Sequence, residues 1–337
     1  FAALLGAGCV LFGAALASGT LLPWRADGVV DQLAAFAALG ALALLLWLGL
    51  GELVVRAADA GVRLARAGGG RCRLVHVTPD TAQFELASAG VALEDLHLAE
   101  SVRVRAAVQT ALADGGRLPA DVIDRLQLRT GRAVAVLEAV VHETDAGLVV
   151  LGGKHHSALG RWLGGSTVQQ AVRRLDVPLL VTTGPLPEQP RILVAVDRSP
   201  AATRTVHSAL TFAGLLGGSL RALHVLEPTP AIIEAGLLPE LRRRVERDIW
   251  PLFPIPESRK VIRHGVPVET IAREADAWHA DVIVVGSHGK GWVDRLLLGS
   301  VTEELLNDLP AAVLVIPVPP PEQREAVQAF SARAVEA

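Results

Sequence analysis

Two stretches at the head of the chain carry no charged residue, residues 1–24 and 33–51. The second is 19 residues long. At about 1.5 Å per residue a helix of that length crosses a hydrocarbon layer of ~30 Å. Its alanine and leucine content favours helix. A short polar turn with Arg25, Asp27, Asp31 and Gln32 separates the two runs. The pattern predicts a transmembrane helical hairpin over 1–51, with two buried helices of a soluble core as the alternative. Arg56, Arg63, Arg66, Arg71 and Arg73 follow the second run. Basic flanks stay on the cytoplasmic side, so the remainder of the chain is expected there, on the inner membrane of the cell.

From Arg71 onward short apolar runs alternate with helical stretches, the signature of parallel βαβ units. Strands are expected at 74–77, 125–129 and 148–151, with helices at 100–113 and 132–143. The order then repeats. Strands are expected at 192–196, 220–225, 260–263, 282–285 and 313–316, with helices at 201–216, 239–249, 268–278 and 302–308. An offset of 134 superimposes the two series, placing Gly131 on Gly265, Gly152 on Gly286, Arg161 on Arg295, Leu163 on Leu297, Gly165 on Gly299 and Ser166 on Ser300. Matching glycines argue for shared backbone geometry rather than shared composition. The expected organisation is a hairpin over 1–51, a first α/β domain over 52–184, and a linker at 185–190 holding Pro185, Pro187 and Pro190. A second α/β domain over 191–318 and a proline-bearing tail over 319–337 complete it.

Composition narrows the function. Hydrophobic residues make up 51% and charged residues 20%, enough for a core and too few for disorder. The balance of 32 basic against 35 acidic residues offers no basic stripe, so nucleic acid is not an expected partner. Two cysteines, Cys9 and Cys72, support no disulfide framework and fit a reducing compartment. The chain has no methionine and starts at Phe1. It is therefore expected to continue upstream, into a further membrane region.

The candidate chemistry lies at 284–302. Val284-Val285-Gly286-Ser287-His288-Gly289 closes a buried strand, and Gly299-Ser300-Val301-Thr302 opens a helix. Glycines at a strand end let backbone N–H groups approach a phosphate, and the unpaired first amides of a helix favour an anion. Asp197 ends the strand 192–196, at the position where open parallel sheets receive ligands. Simpler readings compete. Ser300 and Glu303 have the spacing of a capping box, and Asp197 with Ser199-Pro200 could start the next helix. No G-x-x-x-x-G-K-[ST] sequence occurs, which excludes a P-loop. No ligand-spaced set points to a metal, and no residue set points to a catalytic role.

Gly286-x2-Gly289-x9-Gly299-Ser300 resembles the G-2x-G-9x-G-[ST] signature of the universal stress protein family. Ile192 to Pro200 is similar to that family's first strand and loop, and Val313 to Pro317 to its last strand. The resemblance implies two flavodoxin-like or Rossmann-like domains with strand order 3-2-1-4-5. It also implies a nucleotide, ATP or AMP with Mg2+ as an accompaniment, between strands 1 and 4 of the second domain. Carried over by position, Asp197 contacts the adenosine and Val225 lines the base pocket. Gly286, Gly289, Gly299 and Ser300 hold ribose and phosphates, with Val301 beside them.

The first domain reads as degenerate. His155 stands where Gly289 stands in the second, and the position matching Asp197 is Gly49. Its first strand would fall at 44–48, inside the second apolar run. Either the run is a membrane helix that leads into the family's first helix at 52–67, or the strand forms and only one span remains. The family's last strands pair between subunits, which implies a homodimer. Here 178–182 could instead pair with 313–316 within one chain. The expected function is a non-enzymatic, nucleotide-sensing regulatory module on a membrane protein such as a transporter or antiporter. The alternatives are a non-binding dimerisation scaffold and a slow ATPase.

Overall fold

The computed structural model describes residues 55–78, 93–114, 118–153, 165–199, 201–287 and 298–317. Both uncharged runs, Gly49, His155, Gly289 and the 319–337 tail lie outside the described residues, as does the question of whether 44–48 is strand or membrane helix. Among the described residues no helix is long and apolar enough to cross a membrane. They fall into two compact units, one holding residues 73–132 and the other Arg56–Cys72 with Ala133 onward.

In the first unit β1 (Val75–Thr78) pairs in parallel with β2 (Gln127–Thr130). The helix Leu93–Asp114 begins earlier than its hydrophobic pattern predicts. A five-residue helix, Ala120–Asp124, leads into β2. Val104, Leu112, Ile123 and Leu126 are buried. The Arg105 guanidinium donates to the Leu126 carbonyl at 2.6 Å, which ties the long helix to the start of β2.

The second unit is built on a seven-stranded sheet. Its strands are β3 (Val149–Gly152), β4 (Leu179–Thr182), β5 (Arg191–Ala195), β6 (Ser219–Leu226), β7 (Lys260–His264), β8 (Val282–Gly286) and β9 (Ala312–Ile316). The order is β3-β4-β9-β8-β5-β6-β7. Five of these strands, β7-β6-β5-β8-β9, reproduce the expected 3-2-1-4-5 order. The expected pairing of the two last strands also forms, antiparallel, with Leu179 opposite Val315 and Val181 opposite Val313. That pairing merges strands of both repeats into one sheet, so the compact units cut across the repeat boundary.

Successive strand residues point to opposite faces, and both faces of this sheet are apolar, as buried parallel strands require. Ile192, Val194, Val282, Val284 and Leu314 belong to one core cluster. Leu193, Ile283, Val285, Val313 and Val315 belong to the other. The first is covered by Ala60 and Leu64 of a helix at 55–67 and by Val206, Ala209 and Phe212 of the helix Ala202–Leu215. The second is covered by the helices Gly165–Arg174, Pro267–Ala277 and Ser300–Asp308 through Ala171, Ile271 and Leu305.

The repeat is visible in the backbone. Gly131 and Gly265, 134 residues apart, hold φ of 142° and 141°, a region that side chains rarely enter. Asp145 and His279 share the left-handed region at 48° and 52°. Gly131 N–H donates to Thr78 and Gly265 N–H to Leu226, each at 3.0 Å. The helix at 55–67 ends as Ala202–Leu215 does. Gly69 and Gly217 have φ of 66° and 59°, and the amides of Gly70 and Gly218 bond back to Ala65 and Ala213. The stretch 55–67 is thus the first helix of the first repeat, as its sequence predicts.

Candidate functional site

β5 pairs with β6 on one side and β8 on the other. The chain winds outward from β5 through β6 to β7, then crosses to β8, so the winding direction reverses between β5 and β8. The carboxyl ends of strands at such a reversal leave a crevice. A cavity of about 620 Å³ opens there, a size that takes a small organic ligand. Asp197, Val225, Gly286, Gly299, Ser300 and Val301 all line it. The structure therefore brings together every expected site residue except Gly289, which lies outside the described residues.

Asp197 sits two residues beyond β5. Its Oδ1 accepts from the Ser199 amide at 3.0 Å and from the Ser199 hydroxyl at 2.7 Å. This Asx turn aims the carboxylate without using its second oxygen. Oδ2 accepts no hydrogen bond from the described residues, so it is available to a ligand donor. Asp197 does not start the following helix. That helix begins at Ala202 with Ala201 as its cap, and no side chain caps it.

The second competing reading also fails. A capping box needs Ser300 at the cap, but the cap is Gly299, with φ −62° and ψ 136°, and Ser300 is the first helical residue. No side chain caps this helix either. The first helical amides have no intrahelical acceptor, and a glycine cap brings them close to the cavity with no side chain in the way. Two bonds hold the helix start against the strand end. Gly299 N–H donates to the Ser287 carbonyl at 2.9 Å, and the Thr302 hydroxyl to the Gly286 carbonyl at 2.7 Å. Thr302 is 3% exposed, so its hydroxyl is committed to that carbonyl.

An apolar wall of Val225, Val266, Val268, Ile271, Val285 and Leu298 faces these polar groups. Such a wall suits a flat heteroaromatic ring. His224 also lines the cavity and is 3% exposed. Its Nδ1 lies 2.7 Å from the Val196 carbonyl. A carbonyl only accepts, so Nδ1 carries the proton, which sets the tautomer of the neutral ring. Trp250 meets the imidazole edge-on, with centroids 6.3 Å apart and planes at 82°. This pins the loop between β5 and Asp197 to β6.

Behind the wall, Glu274 on the helix Pro267–Ala277 is 5% exposed and pairs with Arg221 at 2.8 Å and Arg263 at 2.9 Å. Arg221 stacks over Trp278, 4.5 Å from the ring centroid. The network anchors the helix carrying Val268 and Ile271 to β6 and β7. The sequence alone did not single out His224, Thr302 or Glu274. His224 interrupts an apolar stretch of its strand, whereas Glu274 and Thr302 sit in helices with other polar residues and had no such signal. The charged residues around the cavity, among those described, are Asp197, Glu227 and Glu304. No group of three or more His, Cys, Asp or Glu side chains among the described residues could hold a metal ion.

In the first repeat the residue after β3 is tightly packed. A Cβ on Gly153, which matches Ser287, would fall 2.5 Å from Val181 Cγ1 and 2.6 Å from Leu309 Cδ1.

Residues 52–183 and 190–317 each match the model of the universal stress protein family. A universal stress protein of Thermus aquaticus is 33% identical over 132 residues, covering 37% of this chain and 96% of that protein. One from Mycobacterium tuberculosis is 30% identical over 185 residues, covering 51% of this chain; the match spans 62% of that protein's length. Among solved structures, a universal stress protein from Archaeoglobus fulgidus superimposes with a TM-score of 0.53 at 18% identity, over 79% of this chain and 93% of that one, which bears on the fold. With two copies of the domain in tandem, the chain belongs to the universal stress protein family.

Proposed function

We propose that the second repeat binds an adenine nucleotide, ATP or AMP, and that the first does not. One observation carries this reading. A carboxylate oxygen without a donor among the described residues, an apolar wall and an uncapped helix start with a glycine at its head surround one cavity at the sheet's winding reversal. Asp197 accepts from ribose hydroxyls, Val225 and Val268 sandwich the base, and the amides of Ser300 and Val301 hold phosphate oxygens. Gly289, by its place in the sequence motif, is proposed to hold ribose or phosphates with them. Where Mg2+ accompanies a polyphosphate, it would supply neutralisation of the phosphate charge.

The role is regulatory rather than catalytic. Phosphoryl transfer needs a positioned water and cationic stabilisation of the transferring group, and no arginine or carboxylate set in the sequence is forced together by its spacing to supply them. The uncharged runs at 1–24 and 33–51 support attachment to a membrane, with the stress-protein domains on the cytoplasmic side. An upstream membrane region of the same protein, of transporter or antiporter type, is the proposed partner. The β4–β9 pairing favours a second role as an intrachain pseudo-dimer that uses the edges through which separate subunits would pair.

Calorimetric titration of the full chain with ATP and with AMP tests the reading. Saturable binding is expected, weakened tenfold or more by Asp197→Ala, since a hydrogen bond to a charged group contributes about 1.5–3 kcal/mol. Absence of binding at millimolar nucleotide by the folded chain would leave the scaffold role alone.

A further inference from the structure

The helix at 55–67 belongs by sequence to the first repeat, yet it is built into the sheet that carries the cavity. Ala60 is fully buried and Leu64 is 6% exposed, in the same cluster as Leu186, Ile192, Phe212 and Leu216. At its far end, a Cβ on Gly68 would touch Leu215 Cδ2 at 4.0 Å. Polar contacts add direction to this packing. Arg63 donates from Nη1 to the Leu186 carbonyl and from Nη2 to the Pro187 carbonyl, the latter at 2.8 Å. Arg56 donates from Nη1 to the Thr183 carbonyl at 3.1 Å. Arg56 and Arg63 are seven residues apart, two turns on one side of the helix. Their three acceptors lie on the segment that joins β4 to β5.

Two continuous elements run from this helix to the cavity. The clamped segment leads into β5, which ends two residues before Asp197. The helix Ala202–Leu215 packs in the shared cluster through Phe212 and Ala213, and its first turns place Ala202 and Thr205 in the cavity wall. In the other direction, the helix at 55–67 follows the uncharged run 33–51 within a few residues.

We propose that the helix at 55–67, clamped by Arg56 and Arg63 to residues 183–187, passes the occupancy of the Asp197 cavity to the chain that precedes it. The inference rests on the nucleotide reading and specifies how that site is read out. A ligand that orders the Asp197 turn and the start of the helix Ala202–Leu215 stabilises the elements to which 55–67 is fastened. Linkage is reciprocal, so loosening the clamp weakens the ligand. Arg63 is a positioning residue in this scheme and touches no ligand.

Hydrogen exchange of the full chain with and without saturating ATP tests the inference. Slowed exchange at residues 299–302 reports the filled site. The expected result is protection there together with several-fold slower exchange in 55–67 and 183–187. Arg63→Met keeps the aliphatic stem and removes the donors. It should retain protection at 299–302, lose it at 55–67, and raise the dissociation constant about fivefold, with partial recovery in Arg63→Lys. Protection at 299–302 with unchanged exchange at 55–67 in the wild type would overturn the coupling and leave the binding site standing, whatever the variants do. Unchanged affinity and unchanged protection at 55–67 in a folded Arg63→Met would also overturn it. No protection at 299–302 would overturn the nucleotide reading itself and the coupling with it.

Discussion

Gly131 and Gly265 hold the same unusual φ, the same donor bond and the same place after the same kind of strand. β1–β2 and β6–β7 share one register, with Val75 opposite Gln127 as Leu223 is opposite Val261. The two repeats share these features and differ at the positions where the proposed ligand would sit. The second has Asp197 and Gly289, and the first has Gly49 and His155 at those places. At the end of β8 Gly286 lines a cavity, whereas after β3 Gly153 lies against Val181 and Leu309. In the second repeat Glu274 holds two arginines, and at the matching position the first has the buried Val140. The backbone features the repeats share are thus a strand pairing and its turn glycine, and on the proposed reading the difference in binding rests on a few side chains.

The sharpest way to break this contrast is to give the second repeat the first repeat's residue. Gly289→His should weaken nucleotide binding by a hundredfold or more, about 2.7 kcal/mol, because a side chain there blocks backbone approach. Titration by calorimetry checks it. The reverse change, His155→Gly, should create no second site, because Gly49 supplies no carboxylate.

A smaller effect is expected from Glu274→Val, which copies Val140. Breaking a buried ion pair costs about 3–5 kcal/mol. Arg221 and Arg263 have side chains 30% and 50% exposed and can turn to water, so about 1–2 kcal/mol is expected here. A shift of the urea midpoint measures it. Nucleotide affinity should fall less than stability does.

The smallest effect concerns His76, the counterpart of His224. Burial lowers the His76 pKa below its ordinary 6.5. The unfolded chain then binds more protons in the window just below 6.5, so this stabilisation is complete above about pH 6.5 and is lost as pH falls below it. Hydrogen exchange in β1 and β2 should accelerate on acidification, and His76→Gln should flatten that dependence.

Much of the fold was legible because apolar runs in buried parallel strands are short and bounded. The expected runs at 282–285 and 313–316 fall within Val282–Gly286 and Ala312–Ile316. The β4–β9 pairing was expected through the resemblance to a family whose last strands pair between subunits. The site was legible through Asp197 and the glycines, whose types are unusual at strand ends. The role of Ser300 was harder to read, since S-x-x-E fits a cap as well as a first helical turn. Only the backbone at Gly299 decides between them. Contacts such as Thr302 to Gly286, His224 to Val196 and Arg63 to Leu186 join residues 16, 28 and 123 apart. No local pattern encodes such partners, because they depend on how elements pack. The helix Leu93–Asp114 shows the same limit, since its early turns have no apolar stripe to announce them.

The asymmetry between the repeats is tested most directly by the stoichiometry of nucleotide binding to the full chain. One ATP or AMP per chain, with the signal removed by Gly289→His, is the predicted result. Two per chain, or one that survives Gly289→His, would contradict it by placing a ligand in the repeat that lacks both the carboxylate and the glycine.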